Sequence, residues 1–95
     1  MIELWLPQGA VVELRGLRVD DDADIEPAPE PTAPRWAHYG SSISHCFDAE
    51  SPTETWPAIA AREAGVELIN FGLAGQCMLD QFVARAIRDL NSDMC

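Results

Sequence analysis

Trp36-Ala37-His38-Tyr39-Gly40-Ser41-Ser42-Ile43-Ser44 is the stretch whose reading decides the fold. Four residues of apolar and aromatic character run into a glycine, and serines follow. This is the pattern of a short buried strand ending on a tight turn. Downstream, Thr55 suits the N-cap of a helix, which leaves Pro57 inside the first turn, where N–H groups have no intrahelical acceptor. Ser51-Pro52-Thr53-Glu54 has the form of a capping box with proline at the first helical position, but a start there puts Pro57 where it breaks a backbone bond. The helix runs to about Ala64, and Gly65 suits the left-handed C-terminal position. Val66, Leu68 and Ile69 form a second strand ending at Asn70, and Gly72 and Gly75 punctuate the loop after it. A second helix is expected from about Asp80 to Leu90, with Phe82, Val83, Ala86, Ile87 and Leu90 on one face. Met94 and Cys95 have the character of a further strand beginning. The order βαβα predicts an α/β fold, a parallel sheet covered by helices.

Toward the N-terminus the pattern changes twice. Residues 20–34 hold Pro27, Pro29, Pro31 and Pro34, and open on Asp20-Asp21-Asp22. Missing backbone donors and mutual repulsion of the acids make this stretch an extended linker. Residues 1–19 alternate: Ile2, Leu4 and Leu6 share one parity, Pro7-Gln8-Gly9 reads as a turn, and Val12, Leu14 and Leu17 follow among Glu13, Arg15 and Arg18. Two strands joined by a turn, a β-hairpin remnant, are expected there. The expected organisation is therefore residues 1–19 as a strand pair, 20–34 as a linker and 35–95 as the α/β part.

Composition limits the partners. With 16 acidic and 6 basic residues the 95-residue chain carries a net charge of −10. Nucleic acid is disfavoured, since binding it relies on clustered Lys and Arg, and so is an anionic membrane surface. Cys46, Cys77 and Cys95 are odd in number and irregularly spaced, which points to free thiols rather than a disulfide framework. No Cys-x-x-Cys or His-x-x-x-His pair supports a metal site, and no motif calls for a cofactor. Residues 1–15 lack the basic leading region of a signal peptide, and no apolar run approaches a membrane span. A cytoplasmic protein is the expectation.

In open parallel sheets, active sites lie just beyond the C-terminal ends of the strands. Gly40-Ser41-Ser42-Ile43-Ser44 and Asn70-Phe71-Gly72-Leu73-Ala74-Gly75-Gln76 both occupy that place. A serine held on a turn after a strand exposes its hydroxyl. Its own N–H and a glycine N–H from the neighbouring loop can stabilise one oxyanion. Taken alone this spacing also fits ordinary turns.

Tyr39-Gly40-Ser41-Ser42-Ile43-Ser44 resembles the first block of the SGNH/GDSL hydrolases, whose core is Gly-Asp-Ser, with Ser41 in place of the aspartate. The resemblance implies a partial three-layer α/β/α, flavodoxin-like fold, first βαβα only, over about Arg35 to Cys95. It implies Ser42 as the nucleophile of a serine esterase, acting on a small ester or acetylated substrate. It implies Gly75 as an oxyanion-hole donor beside the Ser42 N–H, with Asn70 five positions before Gly75 as the family has it. Gly40, Ser41 and Asn70 shape the site. Trp56-Pro57 and the helix after it match a pattern of bacterial members, some of which carry a β-sandwich accessory domain whose tail residues 1–19 resemble. The family's third block supplies an oxyanion-hole asparagine and its fifth block an Asp-x-x-His. Neither motif occurs in the sequence, so a fragment inactive by itself is expected. The other reading is a noncatalytic binding or interaction piece with the same half-fold.

Other candidates read less well. His38 lies within the first strand, where a histidine is usually packed. His45 stands only three residues past Ser42, whereas base and nucleophile normally meet from distant parts of a chain. Cys46 has nothing near it in sequence to lower its pKa. Trp36, Trp56 and Phe82 are expected in the core.

Overall fold

The computed structural model describes residues 2–95. Strand β1 (Arg35–Gly40) is followed by the one-turn helix α1 (Ser42–His45), a 3-10 turn (Pro52–Glu54), helix α2 (Trp56–Ala64), strand β2 (Glu67–Gly72) and helix α3 (Gln81–Asp89). β1 and β2 pair in parallel, in register from Arg35↔Glu67 to Gly40↔Gly72. Strand, crossover helix and parallel strand make one βαβ unit, with α3 added after it. This is the partial α/β fold that the sequence predicts.

α2 starts and stops where its sequence dictates. Thr55 is the N-cap with extended backbone, Pro57 lies in the first turn, and Gly65 closes the helix at φ 67°. The Gly65 N–H reaches the Ala61 and Arg62 carbonyls, and the Val66 N–H also donates to the Ala61 carbonyl, at 3.0 Å. The Thr55 hydroxyl donates to the Pro52 carbonyl at 3.0 Å instead of accepting from its own helix. Ala58 and Ala61 are buried and Pro57 is fully buried, and Ala37 of β1 is wholly enclosed. The core is therefore built from small side chains.

The edge of β1 opposite β2 is also occupied. Trp36 bridges Met94 in parallel, and the Ala37 N–H donates to the Met94 carbonyl at 2.9 Å. Asp93 accepts from the Arg35 N–H at 2.8 Å. Met94 thus adds a one-residue parallel bridge on this edge, with β1 in the middle. Arg35 holds the N-terminal edge, its Nε donating to Glu67 Oε2 at 2.8 Å. Register explains that pair, since Arg35 and Glu67 are direct neighbours in the ladder.

Two expectations fail. The strand pair at residues 1–19 is not formed: residues 2–19 contain no strand, and Val11, Leu14 and Leu17 are exposed. Met1 lies outside the described residues. A hairpin needs a sheet to join, and these residues pair with none. Only the turn at Gln8 and Gly9 appears where expected. Residues 20–34 are exposed and contain no helix, and Ile25 is 62% exposed. The radius of gyration, 15.0 Å, exceeds the roughly 13 Å of a compact chain of this length, consistent with an extended N-terminal third.

The second failure concerns the core. Phe82 is 68% exposed, Trp56 is 42% exposed and Trp36 is half-buried. α3 has the expected length and is strongly amphipathic, but of its apolar face only Val83 is buried. Two strands and a one-residue bridge make too narrow a sheet to cover that face.

Candidate active site

Gly40 and Gly72 end β1 and β2 side by side, so the two loops that follow leave the sheet at one edge. Ser42 is the first residue of α1 and is exposed. Gly75 sits in the loop after β2 at φ 71°, a left-handed conformation that suits glycine. The structure therefore carries both predicted residues at the C-terminal edge of the parallel strands.

The seating of α1 on the strand ends explains two glycines. A Cβ on Gly72 would stand 2.5 Å from the Ser44 carbonyl carbon and from the His45 nitrogen. A Cβ on Gly40 would stand 2.0 Å from Ser44 Oγ. Only hydrogen at both positions lets the helix turn lie this close. Asn70 fixes the same contact. Its Nδ2 donates to the Ser44 carbonyl at 3.2 Å, and its Oδ1 accepts from the Gly72 N–H at 2.9 Å. Asn70 is thus a brace between β2 and α1. Ser41 is the N-cap of α1, with no side-chain capping bond.

Several backbone donors around the site are paired, while those of Ser41, Ile43 and Cys77 find no acceptor among the described residues. Within α1 and its end, the N–H groups of Ser44, His45 and Cys46 bond to the Ser41 and Ser42 carbonyls. In the second loop, the Leu73 N–H bonds to the Gly40 carbonyl, Ala74 to His45 Nδ1, Gln76 to the Leu73 carbonyl and Leu79 to the Tyr39 hydroxyl. Among the described residues, neither the Ser42 N–H nor the Gly75 N–H has an acceptor. An unpaired N–H at a helix start and another in a glycine turn are the kind of donors that stabilise developing negative charge.

Both histidines are bonded to groups other than Ser42. His38 Nε2 lies 2.8 Å from the hydroxyl of Ser44, which is 7% exposed. The ring packs between Trp36 and Trp56, each 5.0 Å away between centroids, and burial pushes its pKa below the ordinary 6.5. Trp56 Nε1 donates to the Ile43 carbonyl at 2.9 Å, so this cluster holds α1 from the other side. His45 uses both ring nitrogens: Nε2 lies 2.6 Å from the Gln8 carbonyl, and Nδ1 accepts from the Ala74 N–H at 3.3 Å. The Cys46 thiol donates to the Ile43 carbonyl at 2.9 Å. Tyr39 ties down the far end of the second loop, and the neighbouring Cys77 thiol, together with burial, raises its pKa. No group of three or more His, Cys, Asp or Glu side chains able to hold a metal ion occurs among the described residues.

A family model described as GDSL-like Lipase/Acylhydrolase matches residues 35–95, well over half of the sequence. The chain belongs to the GDSL-like lipase/acylhydrolase family. The matched span begins at β1 and takes in both loops, leaving outside it the N-terminal residues that form no strand. No curated protein and no solved structure matches the chain. As a GDSL-like member the protein is of hydrolase kind, and the fold is the partial α/β arrangement described above.

Sequence reasoning missed the His38–Ser44 bond, the role of Gly72 and the docking of Gln8. Gly72 carried a signal, since it follows Asn70 at the end of a strand. Gln8 carried none, because its partners lie 37 to 41 residues away.

Proposed function

We propose that Ser42 is the nucleophile of a serine ester hydrolase and that the Ser42 and Gly75 N–H groups form its oxyanion hole. The observation that carries this reading is the pair of N–H groups without acceptors, on neighbouring loops at one edge of the sheet. Family membership supports hydrolysis in general. The small ester or acetyl group as substrate follows from the chemistry of an exposed serine beside such donors. Gly40, Gly72 and Asn70 seat α1, and so set where Ser42 stands. The base comes from neither His38 nor His45, because each is engaged elsewhere. In the family pattern the base belongs to an Asp-x-x-His, a motif that these 95 residues do not contain.

A fluorophosphonate ester tests this. It reacts with an activated serine and loses fluoride, leaving a stable phosphonyl adduct. Applied to the polypeptide as its gene encodes it, it gives one adduct, which peptide mapping places on Ser42. An adduct on Ser44 or Ser51, or no adduct at all, overturns the assignment. The engagement of both histidines favours a second reading, a noncatalytic module with the same half-fold, and absence of labelling is its signature.

A further inference from the structure

We propose that His45 is a positioning residue, a latch that holds the Gly75 loop in place and is itself held by the turn at Gln8. The functional sense of this rests on Gly75 being the oxyanion donor proposed above. A backbone carbonyl only accepts, so the 2.6 Å approach of His45 Nε2 to the Gln8 carbonyl requires Nε2 to carry the proton. Nδ1 then has a free lone pair, which takes the Ala74 N–H at 3.3 Å. The two bonds fix one neutral tautomer and leave the ring no freedom to turn. Ala74 immediately precedes Gly75, so the latch orients the peptide next to the donor.

The N-terminal turn is built into the same device. Gln8 Nε2 donates to the Ala49 carbonyl at 2.8 Å and to the Cys46 carbonyl at 3.3 Å, just past the end of α1. Gly9 lies against Phe47: a Cβ there would stand 3.3 Å from the Phe47 carbonyl oxygen. Trp5, Gln8, His45, Asn70 and Gly72 also line one cavity, on which this N-terminal turn closes. Residues far outside the matched family span therefore brace the candidate site. The path runs Gln8, His45, Ala74, Gly75.

Substitutions at position 45 separate the two bonds. Asparagine places Oδ1 where Nδ1 stands and keeps the acceptor for Ala74, but cannot reach Gln8. Phenylalanine keeps the ring volume and loses both bonds. Amide hydrogen exchange at Ala74, read by NMR on the 95-residue chain, is expected to quicken by about fivefold or more in His45→Phe, the effect of one lost hydrogen bond. In His45→Asn the Ala74 amide should stay within about twofold of the unaltered chain, well short of that loss. Equal exchange in His45→Phe and the unaltered chain overturns the proposal. Should His45→Phe fail to fold, the imidazole nitrogen shifts of the unaltered chain decide. A protonated Nε2 with a bare Nδ1 upholds the latch, and a proton on Nδ1 sinks it. Both readouts are independent of turnover, so the latch and the oxyanion hole fail separately.

Discussion

Replacing Gly72 by alanine probes whether α1 sits on the strand ends as described. Glycine 72 has no positive φ, so the cost is one of space rather than of backbone strain. The added Cβ meets the Ser44 carbonyl carbon and the His45 nitrogen at 2.5 Å, where ordinary contact begins at 3.4 Å. The α1 backbone must therefore retreat by about 0.9 Å, the difference between those two distances. Overpacking of this kind costs roughly 1–3 kcal/mol. The retreat also stretches the 3.2 Å bond from Asn70 to the Ser44 carbonyl, about 1 kcal/mol more. A total of about 2–4 kcal/mol lowers the midpoint of thermal unfolding by roughly 8–32 °C in a domain this small. The assay is a thermal melt followed by near-ultraviolet circular dichroism, which reads the Trp36–Trp56 cluster. Gly16→Ala is the control, because nothing lies within 4 Å of a Cβ there. It should change stability by less than about 0.5 kcal/mol, or raise it slightly by restricting the unfolded chain. Equal midpoints for Gly72→Ala and Gly16→Ala would refute the seating of α1.

The His38–Ser44 pair makes stability depend on pH. Burial lowers the folded pKa of His38 below its unfolded 6.5, so the unfolded chain binds the proton more readily. This contribution to stability is fully present above pH 6.5, declines as pH falls from there and is gone once pH passes below the folded pKa; in urea melts His38→Phe should flatten that decline. Gly40→Ala forces the Ser44 hydroxyl away from a Cβ at 2.0 Å and breaks its bond to His38. It should lower the urea midpoint by the equivalent of about 1–3 kcal/mol, and a variant as stable as the parent contradicts the packing. The 95-residue chain by itself should hydrolyse p-nitrophenyl acetate at least about a thousand-fold more slowly than an enzyme with an assembled triad. Robust turnover that disappears in Ser42→Ala would instead place a base within these residues.

Much of the α/β unit was legible because its signals are local. Thr55, Pro57 and Gly65 mark the ends of α2 by cap chemistry, and the strands follow from short apolar runs. β2 extends two residues past the expected end at Asn70, because Gly72 continues the ladder with Gly40 and adds no side chain to obstruct α1. Family resemblance singles out Ser42, Gly75 and Asn70, which lie beside the strand ends, and Met94, expected to open a strand, makes a one-residue bridge to Trp36. What stayed hidden depends on tertiary placement. His38 reaches Ser44 only because α1 folds back over the strand that carries the histidine. The alternation in residues 1–19 describes a surface two strands could share, but alternation without a partner sheet makes no strand. The face of α3 is amphipathic as its period predicts, but Phe82, expected in the core, is exposed, since periodicity records which residues share a face and not whether anything covers it.

The central claim is that Ser42 performs acyl transfer. Its most direct test is the steady-state hydrolysis of p-nitrophenyl acetate by the polypeptide as its gene encodes it, beside the same polypeptide with Ser42→Ala. The expected result is a fall in kcat of at least about a thousand-fold with KM little changed and the thermal midpoint preserved, the pattern for losing the attacking group while binding survives. Hydrolysis that persists in Ser42→Ala, or that is absent from the unaltered polypeptide, would contradict it.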